Sequence, residues 1–180
     1  MKKIVFFAGS NYSKSLNHKL VSYAYSKLAG HTTELIKLTD YQLPLYSEDL
    51  ERERGYPADL KILYNKIKET DALVISVNEH NGMVSAFFKN FIDWLSRLDR
   101  KFLSEKKILL MSTSNGKRGG ASALEYTKNV LPRFGGTVVE SFSIPSFSEN
   151  FSEDSQEISN EVLLLGFNDV IQNFAHQIQQ

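Results

Sequence analysis

The sequence predicts an α/β fold in which one parallel sheet of five strands carries helices on both faces. Short apolar runs alternate with longer amphipathic segments five times along the 180 residues. Strands that are buried on both faces read as continuous apolar runs, and repeated βα units favour parallel strands joined by right-handed crossovers. The length favours one domain over residues 1–180, with enough chain to bury a sizeable core.

The five strands follow from the apolar runs. The first and third are continuous and rich in β-branched or aromatic residues, which predicts burial on both faces, whereas the second alternates and is expected to be more exposed. The predicted strands span residues 4–8, 33–38, 72–77, 107–112 and 137–144.

The helices follow from apolar residues at helical spacing. Leu60, Leu63 and Ile67 share one face, and Pro57 lies near the start of that segment, as is common in helices. Residues 39–56 are expected to form a long loop. The predicted helices span residues 15–28, 57–68, 85–98, 121–134 and 155–177.

Composition excludes several classes of function. Lys plus Arg and Asp plus Glu number 21 each, so the chain has no net charge with which to attract nucleic acid or an anionic membrane. Without Cys it has no disulfide, thiolate nucleophile or Cys-ligated metal. The apolar run at the N-terminus is shorter than the roughly 7–15 residues of a signal peptide, and none approaches the ~20 of a membrane span. We expect a cytoplasmic protein.

The loop after the first strand, residues 9–17, has the composition of an anion site. It is dense in hydroxyls and amides and leads directly into a helix, whose free N–H groups and partial positive charge suit a phosphate. Ser10, Ser15 and Asn17 can donate from their side chains. A polar turn in which Ser13 or Ser15 caps the helix explains the same residues, and spacing alone leaves both readings open. Neither a Rossmann nor a P-loop glycine motif is present.

Two further loops lie at the same predicted edge of the sheet. Residues 78–82 form a polar segment suited to one wall of a flat heterocycle, although Asn81-Gly82 is also an ordinary turn pair. The glycines of residues 113–120 let the backbone approach a ligand closely. Lys117 and Arg118 there either meet a second phosphate or are solvated. His80 is more typical of a loop hydrogen bond than of catalysis, and the remaining histidines lack metal-ligand spacing.

Four segments together resemble the NADPH-dependent FMN reductase family. Residues 9–17 match the pattern G-S-x-R-x-x-S-x-N, and residues 43–46 match L-P-L-Y before acidic residues. Residues 78–94 resemble P-E-Y-N-G-S-x-P-G-x-L-K-N-x-I-D-W, and residues 114–120 resemble S-x-G-x-x-G-G. The similarity spans about residues 2–144. It implies a flavodoxin-like, doubly wound sheet with strand order 2-1-3-4-5.

The resemblance also implies a function. Hydride would pass from NADPH or NADH through bound FMN to a small acceptor such as a quinone, free flavin or azo compound, with no catalytic side chain and no metal. Members commonly form homodimers or homotetramers. The residues implied in FMN binding are Ser10, Tyr12, Ser15, Leu16 and Asn17 around the phosphate, and Asn78, Glu79, His80, Asn81, Gly82, Ser114, Gly116 and Gly119 around the ring system.

The sequence departs from the family pattern at three notable positions. Tyr12 replaces an Arg that faces the phosphate, Asn78 replaces a Pro, and His80 replaces a Tyr beside the flavin. Two other functions therefore stay open. One is a flavodoxin-like electron carrier without its own substrate, although zero net charge does not favour an acidic docking face. The other is a family member that has lost flavin and acts as a binding protein.

Overall fold

The computed structural model of the protein describes residues 1–28 and 30–180. The strands are β1 (Lys3–Ala8), β2 (Thr32–Leu35), β3 (Ala72–Val77), β4 (Glu79–His80), β5 (Met83–Val84), β6 (Lys107–Thr113), β7 (Thr137–Ile144), β8 (Phe151–Ser152) and β9 (Glu157–Ile158). The helices are α1 (Leu16–Lys27), α2 (Glu48–Arg54), α3 (Ala58–Lys68), α4 (Ala86–Leu98), α5 (Ala121–Val130), α6 (Phe147–Asn150) and α7 (Glu161–Gln177). No helix in this part of the chain is long and apolar enough to span a membrane.

The main sheet has the order β2-β1-β3-β6-β7, and all of its strand pairs are parallel. This confirms the predicted five-stranded order 2-1-3-4-5, because β4 and β5 form only a separate short hairpin. Strand order reverses between β1 and β3. In open sheets of this kind, ligands bind outside the carboxyl ends of the strands at such a reversal.

Two hydrophobic clusters cover the two faces of the sheet. One joins alternate residues of the central strands to α3, α4 and α5 and includes the fully buried Trp94. The other joins the intervening residues to α1 and α7 and includes Phe6 and Phe167. Burial on both sides explains why the central strands are continuous apolar runs. Trp94 is thus a core residue, and its indole N–H donates to the carbonyl of Pro44 at 2.7 Å.

The structure differs from the predicted elements in four places. The second strand ends at Leu35, because Leu38 begins a short 3₁₀ turn through Asp40. The predicted loop at 39–56 contains α2, a charged helix with no buried residue and hence no apolar face to reveal it. The fourth predicted helix becomes 3₁₀ after Val130, where Pro132 follows. The last helix begins at Glu161 rather than at residue 155, because α6, β8 and β9 precede it.

Candidate functional site

The loop between β1 and α1 begins at Gly9, which lies tightly against two other elements. Its N–H donates to the carbonyl of Ser76 in β3 at 2.9 Å, and its carbonyl accepts from the hydroxyl of Ser85 at 2.8 Å. A Cβ at this position would lie 2.8 Å from the ring of Phe88. Only glycine fits there, so the start of the loop is fixed at the reversal of strand order.

Ser15 caps the first helix. Its hydroxyl oxygen accepts a hydrogen bond from the N–H of His18 at 3.2 Å, and its own N–H donates to the carbonyl of Tyr12 at 3.1 Å. The hydroxyl of Ser10 accepts from the N–H of Tyr12 at 3.3 Å. The N-cap expected at Ser13 or Ser15 is therefore Ser15, and the loop has a defined turn. This geometry agrees with both interpretations of the loop, as a phosphate site and as a polar turn that caps the helix.

The same loop leaves several backbone donors free. Within residues 1–28 and 30–180, the N–H groups of Ser10, Asn11, Ser13 and Lys14 donate no hydrogen bond. The N–H groups of the first helical turn also lack intrahelical acceptors, as they do in any α-helix. A cavity of about 310 Å³ adjoins the loop and extends to residues 37–40. Free donors that converge at a helix start are the usual protein arrangement for binding phosphate.

Asn17, predicted to face a phosphate, instead points into the protein. It is 3% exposed, and its Oδ1 accepts from the hydroxyl of Ser76 at 2.8 Å and from the N–H of Thr113 at 3.0 Å. Its Nδ2 donates to the carbonyl of Thr113 at 3.1 Å. The side chain joins α1 to the ends of β3 and β6, and only one amide hydrogen is left for a ligand. Leu16 packs partly against the cluster beneath α1.

The cavity beside the loop is lined by one cation, Lys37, and one anion, Asp40, whose charges balance. Tyr12, at the position of the family's Arg, is 64% exposed. His18 and Lys37 line the adjoining cavity with the loop serines. Partial burial, followed by the charge of Lys37, lowers the pKa of His18 below its usual value, while Asp40 acts in the opposite direction. Backbone donors and hydroxyls therefore dominate the site at neutral pH.

The segment after β3 is a short hairpin. Strands β4 and β5 pair through a turn at Asn81 (φ 52°) and Gly82 (φ 79°), both in the left-handed region, so the expected turn pair is present. His80, Asn81 and Gly82 are exposed at its tip. The carboxylate of Glu79 is not at the tip: it accepts from the N–H groups of Ser122 at 2.8 Å and Ala123 at 3.1 Å.

Asn78 connects β3 to this hairpin and is 9% exposed. Its Oδ1 is buried and has no hydrogen-bond partner among the described residues. Most buried polar side-chain atoms in proteins are hydrogen-bonded, so an unpaired one indicates a missing partner.

The loop between β6 and α5 is held by internal hydrogen bonds. The carbonyl of Gly116 accepts from the N–H groups of Gly119 and Ser146, and the carbonyl of Ser114 accepts from the N–H of Phe147. The carbonyl of Gly119 accepts from two hydroxyls, those of Ser112 at 2.8 Å and Ser143 at 2.9 Å. These bonds hold the loop against the chain around residue 146, which sequence reasoning did not include in the site.

Three charged side chains of the β6–α5 loop and of α4 lie at the surface. Lys117 and Arg118 are exposed, and Arg118 donates to the hydroxyl of Ser122 at 3.0 Å. Asp93 pairs with Lys89 on the surface of α4. Within residues 1–28 and 30–180, no cluster of three or more His, Asp or Glu side chains is placed to hold a metal ion.

Comparison with known proteins identifies the family of the chain. The sequence profile of the family described as NADPH-dependent FMN reductase matches residues 2–149. The chain belongs to this family. It is 32% identical over 158 residues to a quinone reductase of Escherichia coli strain K12, a match that covers 82% of this chain and 84% of that protein.

Solved structures agree on the fold of this FMN reductase family member. FerB from Paracoccus denitrificans, a flavoenzyme NAD(P)H:(acceptor) oxidoreductase, superposes with a TM-score of 0.81 at 26% identity, covering 99% of this chain and 98% of FerB. The apo form of an NADH:FMN oxidoreductase, EMOB, gives a TM-score of 0.74 at 24% identity over 98% of this chain and 90% of EMOB.

Family membership makes the chain an NAD(P)H-dependent flavin reductase, with FMN as cofactor and NAD(P)H as reductant. The residues present fit FMN. Among the described residues, the β1–α1 loop offers free N–H groups and hydroxyls for a phosphate, and the hairpin and the β6–α5 loop lie at the same edge of the sheet. The missing Arg at Tyr12 removes one charged donor without removing this set.

Proposed function

We propose that the chain is an FMN-dependent NAD(P)H oxidoreductase that passes hydride from a nicotinamide to a small acceptor, such as a quinone, free flavin or azo compound. The observation that carries the proposal is the group of free backbone donors at the start of α1, located at the reversal of strand order. Bound FMN supplies the redox chemistry, so no side chain has to act as acid or base.

The side chains and backbone of the chain then bind and orient the cofactor. The N–H groups of Ser10, Asn11, Ser13 and Lys14 would hold the FMN phosphate together with the hydroxyls of Ser10 and Ser15. Because these donors are fixed before binding by the cap at Ser15 and by Gly9, little reorganisation is needed when the anion arrives. Tyr12 is too exposed to replace a charged donor. The phosphate would therefore be held by the dipoles of the backbone N–H groups and hydroxyls.

The flavin ring would lie between the two walls. The exposed tip of the hairpin, at His80, Asn81 and Gly82, would form one side, and the backbone at Ser114, Gly116 and Gly119 would form the other. Glu79 and Asn17 act through other residues: Glu79 joins the hairpin to α5, and Asn17 joins α1 to β6. We propose positioning roles for these two side chains rather than direct contact with the ring.

The substitution Ser15→Asp separates helix capping from phosphate binding. Asp caps helices as well as Ser and suits the helix dipole, so the apoprotein should keep its stability. Its charge should repel the FMN phosphate and weaken FMN binding by roughly 100-fold or more, since a charge-assisted contact is lost and a repulsion is added. Fluorescence quenching of FMN measures the affinity.

Ser47→Asp is the matched control. Ser47 caps α2 in the same manner, accepting from the N–H of Leu50 at 3.1 Å, and is exposed. FMN affinity equal to wild type is expected for this variant. If Ser15→Asp also binds FMN normally, the loop is only a polar turn.

Turnover distinguishes the reductase from the electron carrier. With FMN bound, the protein should oxidise NADPH or NADH steadily when a quinone is added, at a rate above that of free FMN. A protein that binds FMN but shows no such excess rate is a carrier, and one that does not bind FMN has lost the cofactor.

We also propose a homodimer or homotetramer. Leu45 is 80% exposed beside Tyr46 and α4, an apolar side chain that a second copy would cover. Light scattering coupled to gel filtration measures the mass. A single species near 20.5 kDa would rule the oligomer out.

A further inference from the structure

The cavity beside the β1–α1 loop is larger than a phosphate requires. It has a volume of about 310 Å³ and extends from loop residues such as Ser10 and Ser15 to residues 37–40, which follow β2. A phosphate group has the bulk of about two or three water molecules of about 30 Å³ each, whereas pockets for whole small ligands measure about 300–1,000 Å³. Most of the cavity is therefore left over when a phosphate is bound.

The remaining space lies on the side of the loop away from the proposed flavin ring. Strand β1 stands between β2 and β3 in the sheet, so the loop after β1 lies between the chain after β2 and the hairpin after β3. Residues 37–40 line the cavity, and among the residues that the structure describes, none of the hairpin or of the β6–α5 loop does. A group in this space would extend from the phosphate in the direction opposite to the ring.

Three side chains that line this space match the parts of a nucleotide. Tyr12 presents an aromatic ring that is 64% exposed, a surface on which a purine base can stack. The ammonium group of Lys37 can contact a second phosphate. The carboxylate of Asp40 can accept from ribose hydroxyls, as an acidic side chain does in dinucleotide-binding sheets.

The two charged side chains are available to a ligand. Lys37 and Asp40 are both exposed, and within residues 1–28 and 30–180 neither of them forms a salt bridge. A cation and an anion in one cavity suit a ligand that carries both a phosphate and hydroxyl groups, whereas a phosphate alone has no use for the carboxylate.

We infer that this cavity binds the adenosine monophosphate half of FAD, so that the chain accepts the dinucleotide flavin as well as FMN. The phosphate that the two flavins share occupies the free donors before α1. Lys37 contacts the second phosphate of FAD, Asp40 the ribose and Tyr12 the adenine. The family's Arg at position 12 would contact the shared phosphate, whereas Tyr12 provides a surface for the base. The inference rests on the proposed function, because it requires a flavin phosphate at this loop.

Calorimetric titration of the apoprotein with FMN and with FAD tests the inference. For wild type we expect FAD to bind roughly 10-fold more tightly than FMN, or more, because a stacked base and a charged contact are added. Asp40→Ala should reduce this preference roughly threefold or more, the factor of a lost hydrogen bond. Asp169→Ala is the matched control, since Asp169 is exposed on α7 and does not line the cavity.

Two variants of Tyr12 test the stacking contact. Tyr12→Ala should lower the ratio of FAD affinity to FMN affinity roughly fivefold or more, because the aromatic surface is lost. Tyr12→Phe should retain the wild-type ratio, because stacking requires the ring and not the hydroxyl. The two flavins share the first phosphate, so any change in the phosphate contacts cancels in this ratio.

The outcomes separate the two proposals. If wild type binds neither flavin, both the proposed function and this inference fall. Wild type that binds FMN, and binds FAD no more tightly, overturns the inference alone; this result is also expected if the cavity serves the adenosine half of the nicotinamide coenzyme. A preference for FAD that persists undiminished in Tyr12→Ala or in Asp40→Ala would place the adenosine elsewhere and would likewise overturn the inference.

Discussion

Two helices, α1 and α5, begin at the same edge of the sheet but treat their N-terminal donors differently. At α1, Ser15 satisfies one N–H, and the donors of Ser10, Asn11, Ser13 and Lys14 in the loop before it have no acceptor among the described residues. At α5, the N-cap is Gly120, and the carboxylate of Glu79 occupies the N–H groups of Ser122 and Ala123. One helix start is open to an anion, and the other already holds one.

This difference indicates why a phosphate would bind at α1 rather than at α5. A helix start attracts anions through its unpaired N–H groups and its dipole, and a resident carboxylate satisfies both. Lys117 and Arg118 precede α5, yet they meet a helix start that Glu79 has neutralised. Asn17 connects the two helix starts. It lies in the first turn of α1, and its side chain bonds the backbone of Thr113, at the end of β6 and just before the β6–α5 loop.

Removing that connection should have the largest effect. Asn17→Ala leaves the hydroxyl of Ser76 and the N–H of Thr113 buried without their acceptor and removes three hydrogen bonds. We expect a loss of about 3 kcal/mol in the free energy of unfolding, since each buried unsatisfied group costs about 1–3 kcal/mol. Urea denaturation of the apoprotein measures this loss.

Ser76→Ala provides the comparison for Asn17→Ala. It removes only one of the bonds to Oδ1, which still accepts from the N–H of Thr113. The expected loss is about 1 kcal/mol. Equal losses for the two variants would show that Asn17 does not connect α1 to β6.

The sequence predicted the framework of this edge better than its hydrogen bonds. Strands buried on both faces can be recognised as apolar runs, and βα topology then determines which loops meet. The three loops were therefore predicted correctly to lie at one edge of the sheet. The hydrogen bonds of Glu79 and Asn17 were not predicted, because Glu79 bonds residues 43 and 44 positions away, and nothing local indicates that Asn17 points inward. Short elements without an apolar periodicity, such as α2 and β8, leave no pattern to detect.

Glu79→Ala should open the second helix start. It removes the carboxylate that caps α5, with an expected loss of about 1–2 kcal/mol in the free energy of unfolding. Sulfate should restore part of this loss by binding the freed N–H groups. In wild type, sulfate should add less stability beyond its general stabilising effect on proteins. Urea denaturation with and without sulfate, at constant ionic strength, measures both effects.

Glu79→Gln sharpens the same comparison. It retains an oxygen acceptor without the charge, so its loss should be about half that of Glu79→Ala. Equal sulfate responses in Glu79→Ala and wild type would contradict the view that Glu79 acts as a resident anion.

The smallest expected effect concerns pH at the open helix start. Partial burial and, secondarily, Lys37 lower the pKa of His18, so the unfolded chain takes up a proton at a higher pH than the folded chain does. Between the usual His pKa of about 6.5 and the lowered value, the unfolded state therefore binds more protons, and stability falls as pH falls. Thermal unfolding of the apoprotein from pH 7.5 to pH 5 should show this decrease.

His18→Gln should reduce the decrease. Bound phosphate should reduce it as well, because an anion at the start of α1 favours protonated His18 and offsets both burial and Lys37. A phosphate response that is the same in wild type and His18→Gln would mean that the anion binds away from α1, and the contrast between the two helix starts would then be lost.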